Sequence, residues 1–455
     1  MNKKENKISK EIKINKKLAR RNYSNQTGIT LIALVVTIVV LLILAGVSIN
    51  ALFSENGIIK RAQDAQNKMN NAQESDLNAL NDLDKWINNQ VNGTTGGNTT
   101  GGNDNPSTTP KISTLVGKVV DKNTKAEDAY GNKITIPKGF KILEHNPTSS
   151  TGAVTYNYTN SEETGEHIPA VQDGIVIEDT QTGTAGNQFV WVPVGTIKNK
   201  NGSTNTITLG RYEFDSSTGA LKSTTPAQVA SVENCTKIVT ISKGGTDYQE
   251  LSTFREGNSA TNSTAQNATA RNLEEFISTT LANGGYYIAR FEASGTASKI
   301  ASKYNQTVLG NITQPNAAKA AREMYGEIKE NNKLVYASDL VNSYAWDTAI
   351  IFIQTYATET DASSYASNNK STSFAKTGIN TDKYCNIWDM SGNAIEWTTE
   401  YSTYSNFSNF APCVTRGGHC YADGSGAYGY TSLRISSNTT VSNSNGGLRP
   451  LLYVK

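Results

Sequence analysis

The sequence predicts an α+β protein: a long N-terminal membrane helix that continues past the bilayer, then a head of short strands, long loops and a few helices. Three observations predict it. A charge-free apolar run follows a basic cluster near the N-terminus. A Gly/Thr/Asn-rich stretch separates that region from the rest. Beyond it, short β-branched runs alternate with turn residues, and only a few segments show helical spacing. Of 455 residues, 37% are hydrophobic and 18% charged. Both values are below ordinary globular usage, which excludes a polytopic membrane protein and a highly charged disordered chain. The formal net charge is +2, of which residues 1–28 carry +7 and the remainder −5. A mildly acidic body offers no footprint for nucleic acid.

Ile29 to Leu52 is almost continuously apolar, interrupted only by Thr30, Thr37, Ser48 and Asn50. As a helix this run would span about 36 Å, enough for the hydrocarbon core. Lys16, Lys17, Arg20 and Arg21 lie just upstream. The positive-inside rule keeps that cluster cytoplasmic and predicts a single-pass protein of the cell membrane with its head outside. The run is too long for an ordinary secretory signal. Residues 28–34, Gly-Ile-Thr-Leu-Ile-Ala-Leu behind a basic leader, resemble the type IV prepilin signal. The resemblance implies cutting by a prepilin peptidase after Gly28, and a methylated mature N-terminus at Ile29. Ala33 stands where family members usually carry Glu, which argues against a bulk fibre subunit. The plain alternative is a signal-anchor helix.

The spans expected are a leader over 1–28, a membrane helix over 29–53 and its continuation over 54–90. A flexible linker over 91–112 and a head over 113–455 follow. In the continuation, Ile58, Ala62, Ala65, Met69 and Ala72 recur at helical spacing, and Leu77, Leu80, Leu83 and Ile87 resume the stripe. With the membrane span, this resembles the long N-terminal helix of pilins. The linker is too poor in apolar residues to bury a core.

In the head, Thr114–Val120 alternates apolar and polar residues, and Ile134–Phe140 reads as strand, turn and strand. Ile175–Ile177 and Phe189–Val194 read as buried strands. Leu273, Phe276, Ile277 and Leu281 share one helical face; Trp346, Ile350 and Ile353 share another, with Asp339 or Ser343 as candidate caps. An Ala-rich segment over 315–329, with Pro315 near its start, makes a third helix.

Several landmarks follow in order: Phe189-Val190-Trp191-Val192-Pro193, Gly285-Tyr286-Tyr287-Ile288-Ala289-Arg290-Phe291-Glu292, and Trp346-Asp347. Then come Trp388-Asp389-Met390-Ser391-Gly392-Asn393-Ala394-Ile395-Glu396-Trp397, Arg416-Gly417-Gly418 and Gly447-Leu448-Arg449-Pro450. Over roughly residues 170–455 this set resembles the formylglycine-generating enzyme (sulfatase-modifying factor) family, a branch of the C-type lectin-like fold. For each tryptophan, core packing is the simpler role.

The family's oxidase chemistry uses two cysteines five positions apart after the Arg-Gly-Gly strand. Here Cys420 is followed by Ser425 at that spacing, and no cysteine comes later. The resemblance therefore implies no copper and no such enzyme activity. The scattered His145, His167 and His419 show no zinc-ligand spacing. Cys235, Cys385, Cys413 and Cys420 allow three pairings, among them a local Cys413–Cys420 disulfide. By match to the family, Asp389 and Glu396 carboxylates with Gly392 and Ala394 carbonyls would hold a structural Ca²⁺, a hard-oxygen set that suits it. The alternative is that these acids cap turns or pair with a base such as Arg416.

The polar region 419–445 is dense in residues suited to adaptable contact: Tyr421, Asp423, Tyr428, Tyr430, Asn438, Asn443 and Asn445. Tyrosine offers large amphipathic area with few rotors, and Asn and Ser offer versatile hydrogen bonds. The expectation is adhesion or recognition of an extracellular glycan or protein ligand. Alternatives are a minor pilin or pseudopilin packed with other pilins, a variable protein of a diversity-generating retroelement, which has the same fold, and a repurposed enzyme.

Overall fold

The computed structural model describes residues 35–36, 109–160, 165–252, 267–330, 333–357, 373–380, 382–405, 411–420, 430–439, 441–442 and 445–455. The chain divides into two compact units, Met1–Asp104 and Asn105–Lys455. Apart from Val35–Val36, all the described residues belong to the second. Gly28, Ile29 and the helices expected over 29–53 and 54–90 thus lie outside the described residues, save for those two valines.

The described residues are mostly β, which corrects the α+β class that the sequence predicts. Three α-helices occur among them, Leu273–Asn283, Gln314–Glu323 and Ser343–Tyr356. None is long and apolar enough to cross a membrane. The physical reason is short-range punctuation. Most strands run two to six residues before a turn, and left-handed glycines at many of these corners let the chain reverse.

Seven antiparallel strands form one sheet. In spatial order they are Glu327–Glu330, Lys333–Leu340, Pro450–Val454, Gly285–Ala289, Gln188–Pro193, Val176–Asp179 and Phe140–Ile142. A second sheet orders Ile241–Lys243, Thr246–Gln249, Ile395–Ser402, Cys413–Arg416 and Arg434–Ser437, and Gly446–Leu448 pairs parallel to Ile395–Ser402. The chain therefore leaves the second sheet at Leu448 and enters the centre of the first at Pro450. Arg449 sits at the crossing, fully buried.

The buried runs read correctly from sequence. Gln188–Pro193 is buried along its whole length. Trp191 and Trp397 lie in one apolar cluster and Trp346 in another. Burying each such ring contributes a few kcal/mol at roughly 25 cal/mol per Å².

Elsewhere the structure departs from the pattern. Thr114–Val120 is no strand: Ile112–Thr114 is a 3-10 turn, and Val116 and Val119 make isolated bridges. The Ala-rich helix stops at Glu323, and Glu327–Glu330 is a strand, because Gly326 adopts φ 58° between them. Leu281 is 46% exposed; Leu273, Phe276, Ile277 and Thr280 make the buried face instead. The Ser343–Tyr356 helix is capped by neither Asp339 nor Ser343. The Asn342 side chain accepts from the Ala345 amide, satisfying a donor that the helix leaves open. Gln314, the start of a Gln-Pro-Asn tripeptide, is buried: its amide accepts from Ala268 N and donates to the Ala268 and Thr398 carbonyls.

Candidate functional site

Two buried charge clusters organise the regions the motifs single out. The first surrounds the Asp389–Glu396 loop. Asp389, Gly392 and Asn393 all take positive φ, at 53°, 79° and 54°, so the loop turns sharply and folds its acids inward. Asp389 accepts from Asn380 Nδ2 at 2.9 Å and from the Gly378 amide at 3.3 Å. Glu292 accepts from the Ala394 amide at 2.8 Å and from Asn393 Nδ2. Asp382 accepts from the Ser391 amide. The base that faces this cluster is Arg449, not Arg416. Its Nη2 lies 2.7 Å from Glu396 Oε1 and donates to the Trp388 and Asp389 carbonyls.

Four buried carboxyls thus share one guanidinium. Desolvation dominates their protonation, as it does wherever charge is taken from water. It pushes Glu396 up to about 7, against the pull of Arg449. It pushes Asp389 up to about 6, partly offset by Asn380 and Arg449. Desolvation and the neighbouring Asp389 also raise Glu292 and Asp382. Among the described residues, Glu396 Oε2 and Asp382 Oδ1 have no hydrogen-bond partner.

Oxygen donors and orphaned carboxyl oxygens are the donor chemistry a hard cation takes, but the side chains alone do not supply its geometry. Among the described residues, no three His, Cys, Asp or Glu side chains could hold a metal together. An ion here would therefore need backbone carbonyls such as those of Gly392 and Ala394.

The second cluster lies under the second sheet. Arg416 and Arg434 face each other across paired strands, a repulsive arrangement by itself. Asp347 bridges them, Oδ1 to Arg416 Nη2 at 2.6 Å and Oδ2 to Arg434 Nη2 at 2.7 Å. Glu400 binds Arg211 Nη2 at 2.8 Å and Arg434 Nε at 3.1 Å, with Arg416 Nη1 at 3.5 Å. Burial alone would raise the Glu400 pKa, but Arg434, Arg211 and Arg416 overcome it and hold the carboxyl down to about 2. Glu250 closes the network, accepting from Ser343 N and Oγ and from Thr399 Oγ1. Its pKa is raised to about 7, chiefly by desolvation.

Above this floor opens a cleft of about 180 Å³, walled by Phe214, Lys243, Tyr430, Ser432 and Arg434. The Ile241–Lys243 and Thr246–Gln249 hairpin forms one side. The Phe214–Leu221 turn forms another. The Tyr430 hydroxyl donates to the Ser217 carbonyl at 2.7 Å, and Ser432 Oγ donates to the Gly219 carbonyl. Gly219, at φ 73°, makes room for this: a Cβ there would meet the Tyr430 ring at 2.7 Å.

Of the contact residues the sequence singles out, Tyr430 lines this cleft. Asn438 follows the Arg434–Ser437 strand, half-buried, and accepts from Thr439 Oγ1. Asn445 belongs to the other cluster's frame, its carbonyl accepting from the Ile395 amide. Tyr421, Asp423, Tyr428 and Asn443 lie outside the described residues. Among the described residues the four cysteines form no disulfide; of the pair considered above, Cys413 sits at a strand start and Cys420 in a loop beyond its end. Sequence reasoning misses Lys243, Arg211, Arg434 and Glu250. Arg434 alone leaves a signal, as a cation between Leu433 and Ile435 in a short apolar alternation.

No family model matches the chain, and no curated protein matches it. Among solved structures, Treponema denticola variable protein 1 is similar at 10% identity, covering 47% of this chain and 98% of its own, with a TM-score of 0.25. CarF shares 13% identity, covering 38% of this chain and 87% of its own, at TM-score 0.24. The Major Tropism Determinant U1 variant shares 12% identity, covering 76% of this chain and 98% of its own, at TM-score 0.24. TM-scores at this level establish neither a shared fold nor a shared role.

Proposed function

We propose that the head is a recognition module, held outside the cell by a single membrane span, that binds an extracellular glycan or protein ligand through its C-terminal segment. The observation that carries this reading is the cleft between the Phe214 turn, Lys243 and the Tyr430–Arg434 segment, set on a buried ionic floor. Such a floor fixes the framework while the residues above it remain free to specify contacts. In this reading the head is no oxidase: the cysteine spacing is absent, and burial raises the Cys413 thiol pKa, which disfavours a reactive thiolate. A calcium ion at the Asp389–Glu396 loop would brace the frame and take no part in chemistry.

The test is binding of the full chain to glycan arrays and to intact cells. Saturable binding lost on Tyr430→Ala is expected. Copper-dependent oxidation of cysteine peptides would refute the reading.

A second reading is a variable protein of a diversity-generating retroelement. It is favoured by the polar run after Ser437, which sits between the Arg434–Ser437 and Gly446–Leu448 strands. A near-copy of the 3′ coding end beside a reverse-transcriptase gene would support it, and its absence would count against it.

A further inference from the structure

The cleft's charges do not balance. Its two acids are already engaged. Asp215 Oδ1 accepts from the backbone and hydroxyls of Ser217 and Thr218 in its own turn. Glu213 lies 3.8 Å from Lys222, both side chains about half exposed. Lys243 is different. It is half-buried in the wall, and among the described residues it has no ion pair or side-chain hydrogen bond. Desolvation, followed by the positive charges of Arg434 and Arg416, lowers the ammonium's pKa.

The floor beneath adds to the excess. Three guanidinia meet two carboxylates there, and the third acid, Glu250, titrates near neutrality. A half-buried cation without a counter-ion is costly unless something completes it. Water supplies part of that completion, and an oxyanion would supply all of it. The cleft is smaller than the roughly 300–1,000 Å³ of drug-sized pockets, so it suits one ring or one acidic group. Tyr430 is buried with its hydroxyl on the Ser217 carbonyl, so the half-buried Phe214 ring is the wall against which a sugar face can pack.

From this juxtaposition we infer that the cleft is an acidic-sugar subsite, in which Lys243 is the counter-ion to the carboxylate or sulfate of the bound ring. The inference rests on the recognition reading above and names the ligand class of the same surface.

The test titrates the full chain with glucuronic acid, glucose 6-sulfate and glucose, by calorimetry and saturation-transfer NMR. Preference between the first two separates carboxylate from sulfate. Both acids are expected to bind more tightly than glucose and to weaken with salt. Lys243→Met is expected to lose at least about tenfold in affinity, the equivalent of one charge-assisted contact. Lys243→Arg is expected to keep most of it. Lys243 is half-exposed, so neither variant disturbs the core, and an unchanged melting midpoint checks this. Unaltered acid binding in Lys243→Met, or equal binding of glucose, overturns the inference. If all three probes fail while the chain still binds neutral glycans or cells, the inference alone falls. If nothing binds, both readings fall.

Discussion

Replacing Glu400 by Gln would remove one charge from the network under the second sheet without changing its shape. Arg416 and Arg434 would then share Asp347 alone, and Arg211 would lose its carboxylate partner. Breaking a buried pair in this way costs about 3–5 kcal/mol. The titration of Glu400 gives a second route to the magnitude. Its carboxyl is held at about 2 in the folded state, against about 4.3 in an unfolded chain. At about 1.4 kcal/mol per unit, the difference contributes roughly 3 kcal/mol. The sign follows from a depressed folded pKa: the contribution is present above the unfolded value and disappears as pH falls through the folded one. Glu400→Gln should therefore lower stability at pH 7 by about 3 kcal/mol, or several degrees of melting midpoint, and should flatten the acid limb between about pH 4 and 2. Denaturant unfolding followed by tryptophan fluorescence, repeated across pH, reads both effects. Adding Arg434→Met should recover about 0.5–3 kcal/mol of the loss, because the two side chains touch. A variant within about 0.5 kcal/mol of the parent, with its acid limb intact, would refute the reasoning.

Glu250 should act in the opposite sense. Its folded pKa is raised to about 7, so its contribution to stability is lost as pH rises from about 4.5 towards 7, and Glu250→Gln should remove that slope in pH-resolved unfolding. Gly174→Ala should destabilise by more than about 1 kcal/mol in the same assay, because at φ 76° the new Cβ would lie 1.9 Å from the Cys385 carbonyl oxygen. Calcium at about 100 times its dissociation constant should raise stability by about 2.7 kcal/mol. EGTA should reverse the gain and Glu396→Gln abolish it; a melting midpoint indifferent to both would exclude the ion.

Much of the frame was legible because it depends on local pattern. The runs at 175–177 and 189–194 carry β-branched and aromatic residues in a row, and both became buried strands of one sheet. The helix around Trp346 was legible from the spacing of Trp346, Ile350 and Ile353, all fully buried. The Ala-rich helix was overextended because Gly326 alone marks its end. The β content exceeds what the pattern suggests for a related reason: strands of two or three residues leave almost no periodicity to read. The charged clusters were illegible because pairing across long sequence separations has no local signature. Asp347 meets Arg416 and Arg434, and Glu400 meets Arg211, only once both sheets are in register. The motif residues Glu292, Asp347, Arg416 and Arg449 were visible as landmarks, but not as the members of two buried networks.

The position of Pro450–Val454 bears on how the chain is made. This strand joins Lys333–Leu340 to Gly285–Ala289, so until the ribosome has passed Val454 the seven-stranded sheet exists only as two separate halves with open edges. Arg449 likewise reaches the acid cluster only at that moment. Until that strand is in place, the two half-sheets expose unpaired backbone edges, the surfaces through which chains can pair with one another.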